Sequence, residues 1–357
     1  MAKNSDDKPM IGITMGDPAG IGAEVIIKAL SDPQLRRRAK YIIYGLNEML
    51  TYAADMVELD VFWWRDQHER IWRDYPQGVV VADYDEINWL STNTKRAPSE
   101  LGGKASMQFV CDAVDDAQSG KIDAVVTAPI SKESWKLAKF KYPGHTELLT
   151  DRCRAKCSAM MFVGGPFRVV LATIHEALFE IRHKFTIGRV FTPIDLANEA
   201  LKKWFGIAKP KIAVAALNPH AGEAGQFGDE EKRIISPAIL MAQEVGIHVE
   251  GPFPADTLFH KALNGRYDAI VAMYHDQGLI PVKMTAFDKA VNVTLGLPII
   301  RTSVDHGTAF DIAGKNHANP GSMKAALRLA CDLAEIQRKL SRQPNRSPQK
   351  PLNKDNN

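Results

Sequence analysis

Residues 269–278 read Ala-Ile-Val-Ala-Met-Tyr-His-Asp-Gln-Gly, a short apolar run that ends in a polar turn carrying His275. A run of this length, bounded by turn residues, is typical of a strand buried on both faces of a parallel sheet. Six further runs have the same character: Met10–Met15, Tyr41–Tyr44, Val79–Ala82, Ala124–Thr127, Val169–Ala172 and Ile212–Ala216.

Amphipathic segments separate these runs. Apolar residues recur at helical spacing from Ile235 to Ala242 and from Met323 to Ala330. The alternation predicts an α/β fold, with a mostly parallel sheet flanked by helices on both faces. Because 357 residues are many for one compact core, two lobes or one large domain are expected.

Composition excludes several classes of protein. The hydrophobic content of 45% and the charged content of 24% are ordinary for a soluble globular protein. No stretch approaches the roughly 18 consecutive apolar residues that span a membrane. The first eight residues lack the apolar core of a signal peptide, so we expect a cytoplasmic protein that does not bind membranes.

Basic residues are concentrated at the C-terminal end. Residues 338–357 hold six Lys or Arg and one Asp, which contributes +5 to a formal net charge of +3 and leaves −2 for the rest. A nearly neutral body argues against nucleic-acid binding. Residues 1–9 are predicted to be flexible, and residues 341–357, which lack an apolar period, are predicted to form a disordered basic tail.

Three histidines follow three of the predicted strands, in turns that contain polar or small residues: His175, His220 and His275. Strand ends are where parallel α/β proteins build their sites. Three imidazoles can hold one divalent metal and leave a coordination position for substrate. The carboxylates of Asp256 and Asp276 are close in the sequence and are candidates to orient a histidine, complete the coordination or act as a base.

Two glycine-containing turns are candidate anion sites. Residues 13–22 read Ile-Thr-Met-Gly-Asp-Pro-Ala-Gly-Ile-Gly, a strand that leads into a turn and a helix. Such a helix start favours an anion, although tight packing alone explains the glycines equally well. In the second turn, His145 and Thr146 follow Pro143 and Gly144 and can donate hydrogen bonds to a carboxylate or phosphate. The alternative is that Thr146 only caps a helix and that His145 is a surface residue.

Lys283, Asn292 and Arg301 interrupt an otherwise apolar region. A cation in an apolar run is costly unless it meets an anion. Two cations and an amide suit a phosphorylated substrate, because Arg offers a bidentate fork and Lys a point charge. An ion pair within the protein, or an exposed side chain, is the competing interpretation.

Residues 305–320 read Asp-His-Gly-Thr-Ala-Phe-Asp-Ile-Ala-Gly-Lys-Asn-His-Ala-Asn-Pro. This sequence resembles the loop of isopropylmalate and isocitrate dehydrogenases that wraps the adenosine part of NAD(P). The resemblance implies a nicotinamide cofactor, NAD or NADP, and accounts for the lack of a G-x-G-x-x-G fingerprint. It implies these cofactor-binding residues: His306, Gly307, Thr308, Asp311 and Asn319.

Taken together, the segments resemble the 4-hydroxythreonine-4-phosphate dehydrogenase (PdxA) family from about residue 10 to residue 334. The resemblance implies a two-lobed, isocitrate/isopropylmalate dehydrogenase-like fold with the active site in the cleft between the lobes. The first lobe would comprise 10–128 plus 300–335, with the NAD-type loop. The second, 129–299, would carry the metal and substrate residues. The resemblance further implies a homodimer whose metal sites are completed across the interface.

The resemblance also implies a role for each candidate. The metal ligands would be His175, His220 and His275, and the metal zinc, magnesium or cobalt. The substrate contacts would be His145, Thr146, Lys283, Asn292 and Arg301.

The implied reaction is oxidation of 4-phosphohydroxy-L-threonine to 2-amino-3-oxo-4-phosphooxybutanoate, which loses CO2 to give 3-amino-2-oxopropyl phosphate, in pyridoxal 5′-phosphate biosynthesis. Asp256 or Asp276 would be the base. Family members that act on D-threonate or D-erythronate 4-phosphate share these motifs and are the first alternative. A metal- and phosphate-binding protein without redox chemistry and a non-catalytic interaction protein are weaker alternatives. Residues 60–86, rich in Trp, Arg and Asp, match no family motif and are predicted to be peripheral.

Overall fold

The structure is a computed structural model that describes residues 8–71, 78–89 and 95–342. Its strands are β1 (Met10–Thr14), β2 (Lys40–Gly45), β3 (Trp64–Gln67), β4 (Val79–Asp83), β5 (Ala124–Thr127), β6 (Ala159–Gly164), β7 (Phe167–Leu171), β8 (Ile212–Ala215), β9 (Val249–Phe253), β10 (Ala269–Ala272), β11 (Val291–Leu295) and β12 (Ile300–Ser303). They form one 12-stranded sheet in the order β3-β4-β2-β1-β5-β12-β11-β6-β7-β10-β8-β9.

Two parallel blocks make up most of this sheet. One block runs from β3 to β12 and the other from β7 to β9. Between them β11 is antiparallel to both β12 and β6, and β6 is antiparallel to β7. The strands of the second block therefore run opposite to those of the first. The predicted mostly parallel α/β sheet is confirmed, whereas the residue limits of the two lobes stay a prediction.

The helices connect and cover these strands. They are α1 (Gly22–Leu30), α2 (Pro33–Arg36), α3 (Asn47–Met56), α4 (Glu100–Gln118), α5 (Lys132–Leu137), α6 (His145–Arg152), α7 (Ile181–Lys184), α8 (Ile187–Lys203), α9 (Ser236–Glu244), α10 (Ala255–Leu263), α11 (His275–Ala286) and α12 (Gly321–Arg342). Both predicted helical patterns are present, in α9 with the π-helical turn before it and in α12. In the described part of the chain, no helix has the length and apolarity needed to cross a membrane.

All seven predicted strands are present, with ends that differ by at most two residues. Their side chains are almost wholly buried, which explains why short apolar runs identified them. The sequence did not identify β3, β6, β9, β11 and β12 as strands. Two of these, β11 and β12, carry Asn292 and Arg301, so their polar side chains hid the strand pattern.

The Trp-rich segment forms one edge of the sheet, as its predicted peripheral position requires. Here β3 pairs only with β4. Trp63 is buried and donates from Nε1 to Oδ1 of Asn47 at 2.9 Å, whereas Trp64 is exposed. The third tryptophan of this segment, Trp72, lies outside the described residues. At the other end of the chain, α12 continues to Arg342, past the predicted start of the tail at residue 341, and the rest of the tail lies outside the described residues.

Candidate active site

The three predicted metal-binding histidines follow three strands that are neighbours in the sheet. The order β7-β10-β8 is parallel throughout, so the carboxyl ends of these strands meet at one edge. Thr173 donates from Oγ1 to the carbonyl of Met273 at 2.7 Å. Gln277 accepts from the Met273 amide at Oε1 and donates from Nε2 to the carbonyl of Ala216, both at 2.7 Å. These bonds hold the three histidine-bearing loops against one another.

His175 and His275 come together. Their ring centroids are 5.8 Å apart. Two imidazoles that share one metal through bonds of about 2.1 Å have centroids roughly 5–6 Å apart, so this pair fits a shared ion. Nδ1 of His275 lies 2.7 Å from Oδ1 of Asp276, which leaves Nε2 for a metal. Burial, then the charge of Lys132 and then His275, lower the pKa of His175, which favours the neutral ring that binds metals.

His220 is exposed and lies apart from this pair, with its ring 6.1 Å from that of Phe227. Six consecutive residues, 220–225, have positive φ, and four of them are not glycine. The buried carboxylate of Glu231 accepts the Leu217 and Asn218 amides at 2.9 and 2.7 Å and so fixes the start of this loop. Within the residues described, no three His, Cys, Asp or Glu side chains are grouped closely enough to hold a metal.

Arg301 is a buried cation that has no carboxylate partner among the described residues. Its side chain is 2% exposed, and it donates to the hydroxyls of Thr294 at 3.0 Å and Thr127 at 2.6 Å. Its Nε finds no acceptor among the described residues. Burial lowers the pKa of Arg301 to about 9. A guanidinium held only by neutral hydroxyls is the arrangement expected of an anion site.

His145 and Asn292 border the same guanidinium. Burial, followed by the charge of Arg301, holds the pKa of His145 well below its usual value, and the ring packs edge-on against Trp135 at 5.7 Å. Neither Nε2 of His145 nor Oδ1 of Asn292 has a partner in the described chain, although both atoms are buried. Asn292 and Thr294 alternate on β11 and so share a face of the sheet. Such atoms in a native protein usually meet a ligand or water.

The remaining two predicted substrate residues, Thr146 and Lys283, show no buried polar atom that awaits a partner among the described residues. Thr146 is the second residue of α6, and its backbone carbonyl accepts from Oγ1 of Thr150 at 2.7 Å. Lys283 pairs with Asp305 at 2.9 Å, so unlike Arg301 it has a counter-ion. The ion-pair alternative for Lys283 therefore holds in this structure, next to the predicted cofactor loop.

That loop borders a cavity of about 270 Å³. His306, Gly307 and Asn319 line it together with Lys283 and Asp305, whereas Thr308 and Asp311 do not. Nε2 of His306 is buried and has no partner in the described chain. Three of the five predicted cofactor residues thus share one cavity.

The glycine-rich turn supports this loop. The Ile21 amide donates to the carbonyl of Thr308 at 3.0 Å, and a Cβ on Gly20 would lie 2.9 Å from that same carbonyl. Gly20 is therefore required for the close approach. The tight-packing interpretation of the turn is correct at this position, and Ile21 also lines the cavity.

The two candidate bases differ in position. Asp276 contacts His275, as described above, whereas Asp256 is exposed near the start of α10 and accepts the Thr257 amide at 2.9 Å. Within residues 8–71, 78–89 and 95–342, Asp256 makes no hydrogen bond or ion pair with the histidine pair. Asp276 is the better placed to orient an imidazole.

Sequence reasoning missed four residues that shape these clusters: Thr127, Lys132, Glu231 and Thr294. Thr127 ends β5, and Lys132 follows it in the segment Ala-Pro-Ile-Ser-Lys. Polar residues directly after a predicted buried strand are a usable signal, because strand ends are where such sites form. Glu231 and Thr294 have no comparable local signal.

These features define an α/β protein in which a histidine pair, a buried cationic pocket and a loop-lined cavity adjoin one sheet. Comparison with known families then identifies the family of this chain. The profile of the family described as pyridoxal phosphate biosynthetic protein PdxA matches residues 37–330. The chain belongs to this family, as predicted.

Individual relatives agree. The chain is 46% identical to a 4-hydroxythreonine-4-phosphate dehydrogenase of Desulforapulum autotrophicum, over 93% of this chain and 97% of the relative. It is 43% identical to a protein of Oceanobacillus iheyensis whose name proposes D-threonate 4-phosphate as its substrate, over 92% and 98%. The crystal structure of 4-hydroxythreonine-4-phosphate dehydrogenase from Klebsiella pneumoniae superimposes with a TM-score of 0.84 at 38% identity, covering 92% and 98%. The predicted enzyme class, a dehydrogenase acting on a CH–OH group, is confirmed.

Proposed function

We propose that this protein oxidises 4-phosphohydroxy-L-threonine with NAD or NADP and a divalent metal. The observation that carries the proposal is the buried guanidinium of Arg301, which has no carboxylate partner in the part of the chain that the structure describes. A phosphate dianion would supply the missing charge and accept from Nε. His145 and Asn292 add polar atoms beside it. Thr146 and Lys283 are the remaining proposed substrate contacts.

The proposed metal ligands are His175, His220 and His275, with zinc, cobalt or magnesium as the ion. The close approach of His175 and His275 supports two of the three. A bound divalent cation would lower the pKa of the substrate hydroxyl and polarise the developing carbonyl. Asp276 would hold His275 in the orientation and tautomer needed for binding.

The reaction itself needs a proton acceptor and a hydride acceptor. Oxidation removes a proton from the substrate hydroxyl and a hydride from its carbinol carbon, which the nicotinamide ring accepts. We propose Asp256 or Asp276 as the base. The product, a β-keto acid, then loses CO2. Arg301, His145 and Asn292 contribute mainly by fixing the substrate in one orientation.

We propose His306, Gly307, Thr308, Asp311 and Asn319 as the cofactor-binding residues. The cavity lined by His306, Gly307 and Asn319 supports this proposal.

We propose a homodimer in which the partner completes the metal site. Phe179, Met284 and Phe287 are 90%, 82% and 74% exposed, which is unusual for large apolar side chains. Phe179 follows the His175 loop, and Met284 and Phe287 lie at the end of the helix that starts with His275. An interface that buries them would adjoin the histidine pair. The cytoplasmic location remains a proposal as well.

D-Threonate and D-erythronate 4-phosphate are the alternative substrates, because a relative that is 43% identical carries the first of these names. The test is to follow NADH and NADPH formation with all three acids, each with zinc, cobalt or magnesium. A clear preference for the amino acid supports the proposal. A preference for either sugar acid would replace the substrate, and failure of all three would contradict the proposed function.

The metal site has a separate test. We expect His220→Ala to lower the bound metal, measured by elemental analysis of the purified protein, and to lower turnover. His248→Ala is the control, since His248 is half exposed and lies near Glu250, away from the histidine loops. Full metal content and unchanged turnover in His220→Ala would refute the three-histidine site.

A further inference from the structure

Lys132 occupies a fixed position at the start of α5. The helix is anchored by Trp135, which is fully buried and donates from Nε1 to Oγ of Ser106 at 3.0 Å. The neighbouring Ser134 donates from Oγ to the buried carboxylate of Asp17 at 2.6 Å. The backbone of Lys132 is therefore held in place, while its side chain extends into an exposed region.

The side chain of Lys132 lies beside the start of α6, the helix that begins with His145. Its Cε is 3.6 Å from the position that a Cβ would take on Gly144, and Oε2 of Glu147 is 3.5 Å from the same point. A side chain in place of this glycine would thus meet both. Lys132 is consequently a neighbour of Gly144, the residue before the proposed substrate contact His145.

Lys132 and Arg301 are two separate cations. The ammonium of Lys132 has no carboxylate within 4.0 Å in the described part of the chain, whereas Lys283 has Asp305 at 2.9 Å. Arg301 is buried and forms the anion pocket, whereas Lys132 is exposed and lies beside Gly144. The two cations can therefore meet two different anionic groups of one substrate.

We propose that Lys132 binds the substrate carboxylate, which is separated from the reacting carbinol by one carbon. The inference rests on the proposed function, in that the substrate must be a phosphorylated hydroxy acid. Its phosphate would occupy the Arg301 pocket, and its hydroxyl would face the histidine pair. With the phosphate in that pocket, the carboxylate is the remaining anionic group of the substrate, and Lys132 is a cation beside the His145 turn with no carboxylate within 4.0 Å among the described residues. Lys132 would then select acids and orient them for oxidation.

The test compares two substrates that differ only in the carboxylate. One is 4-phosphohydroxy-L-threonine, and the other is 3-amino-2-hydroxypropyl phosphate, whose oxidation gives the same aminoketone phosphate without loss of CO2. KM is measured for each, or Ki against the acid where the second compound is not turned over. We expect Lys132→Met to raise KM for the acid about 10- to 100-fold, as for a lost charge-assisted hydrogen bond. The constant for the analogue should change less than about threefold.

Two further variants separate this role from a structural one. Lys132→Arg keeps the charge and should recover most of the affinity for the acid. Lys136→Met is the matched control, because Lys136 is exposed on the same helix one turn later and has no ion pair within the described residues. It should leave both constants unchanged. Circular dichroism melting curves of all variants should coincide, since both lysines are exposed.

Three results would overturn the inference. If Lys132→Met raises the constants for both compounds equally, Lys132 does not bind the carboxylate. Unchanged constants in that variant would exclude any contact with substrate. Loss of affinity in Lys136→Met as well would point to a general effect of positive charge. If the wild-type protein oxidises none of the candidate acids, the proposed function itself fails, which is distinct from a failure confined to Lys132.

Discussion

Replacing Arg301 with methionine should stabilise the protein while weakening substrate binding. The guanidinium is 2% exposed, and burial lowers its pKa from the ordinary value of an arginine to about 9. At 1.36 kcal/mol per unit, keeping the charge in the folded protein costs about 5 kcal/mol at neutral pH. The hydroxyls of Thr127 and Thr294 would lose their partner in the variant, at about 1 kcal/mol each. We therefore expect the free energy of unfolding to rise by roughly 1–3 kcal/mol.

The pH dependence has a definite sign. The pKa of Arg301 is lower in the folded protein than in the unfolded chain, so the penalty is fully present below about pH 9. Above that pH the folded protein releases this proton before the unfolded chain does. The wild-type protein then gains about 1.4 kcal/mol for each pH unit, up to the pKa of the unfolded chain. The stability advantage of Arg301→Met should therefore shrink between pH 9 and pH 10.

Substrate binding should change in the opposite direction. Loss of a charged donor to phosphate costs about 2–3 kcal/mol, which predicts a KM about 30- to 150-fold higher. The assays are urea unfolding at pH 7 and pH 10, and steady-state kinetics at pH 7. Arg168→Met is the control. Burial also lowers the pKa of Arg168, but its guanidinium contacts the Asp268 carbonyl and the Phe205 ring, away from the candidate site.

One combination of results would refute the reasoning about Arg301. If Arg301→Met is destabilised by more than about 2 kcal/mol and keeps its KM, the guanidinium acts as a structural group and not as an anion site. An anion site at Arg301 is equally contradicted if Arg168→Met raises KM as strongly as Arg301→Met does.

Three further predictions concern the groups around the pocket and the loops. Because the pKa of His145 is held below 6.5, the unfolded chain takes up a proton at this residue before the folded protein does. The free energy of unfolding of the wild-type protein should therefore fall below pH 6.5. In urea unfolding, His145→Gln should show a smaller decline with falling pH, and equal declines in the two proteins would contradict this. Glu231→Gln removes the negative charge from the side chain that accepts the Asn218 amide. It should lower the metal content strongly and the melting temperature only slightly, and an unchanged metal content would exclude this positioning role. Gly16 has a φ of 75°, and a Cβ there would collide with the Pro129 carbonyl. Gly16→Ala should therefore lower the free energy of unfolding by more than about 2 kcal/mol. A smaller loss in urea unfolding would show that the backbone adjusts.

The sequence predicted well those strands that are apolar along their whole length. Every short apolar run became a strand, because a strand covered on both faces must be apolar along its whole length. Strands that carry polar residues escaped detection. In β12 the pattern Ile-Arg-Thr-Ser has one apolar residue, and its burial depends on hydroxyls of β5 and β11. Those partners are 174 and 7 residues away in the chain, and no local pattern joins them.

The candidate site was predicted in part, for a related reason. The rule that parallel sheets place their sites at strand ends selected His175 and His275, and the structure pairs them. It also selected His220, but the run of positive φ values around this residue has no signature beyond its glycines. Pairing of Lys283 with Asp305 likewise depends on the approach of α11 to the loop after β12. Local sequence identifies which groups are unusual, and tertiary contacts decide which of them remain unpaired.

The order of the sheet explains how one substrate can meet all of these groups. The glycine-rich turn follows β1, and the predicted cofactor loop follows β12; the histidine loops follow β7, β10 and β8. Arg301 and Asn292 lie on β12 and β11, between the two parallel blocks. If the proposed phosphate site is at this junction, the strand before the cofactor loop lies on one side of it and the strands before the histidine loops lie on the other. Hydride transfer would require the carbinol to approach both loops, so the proposed function needs a substrate that extends from this junction toward each of them.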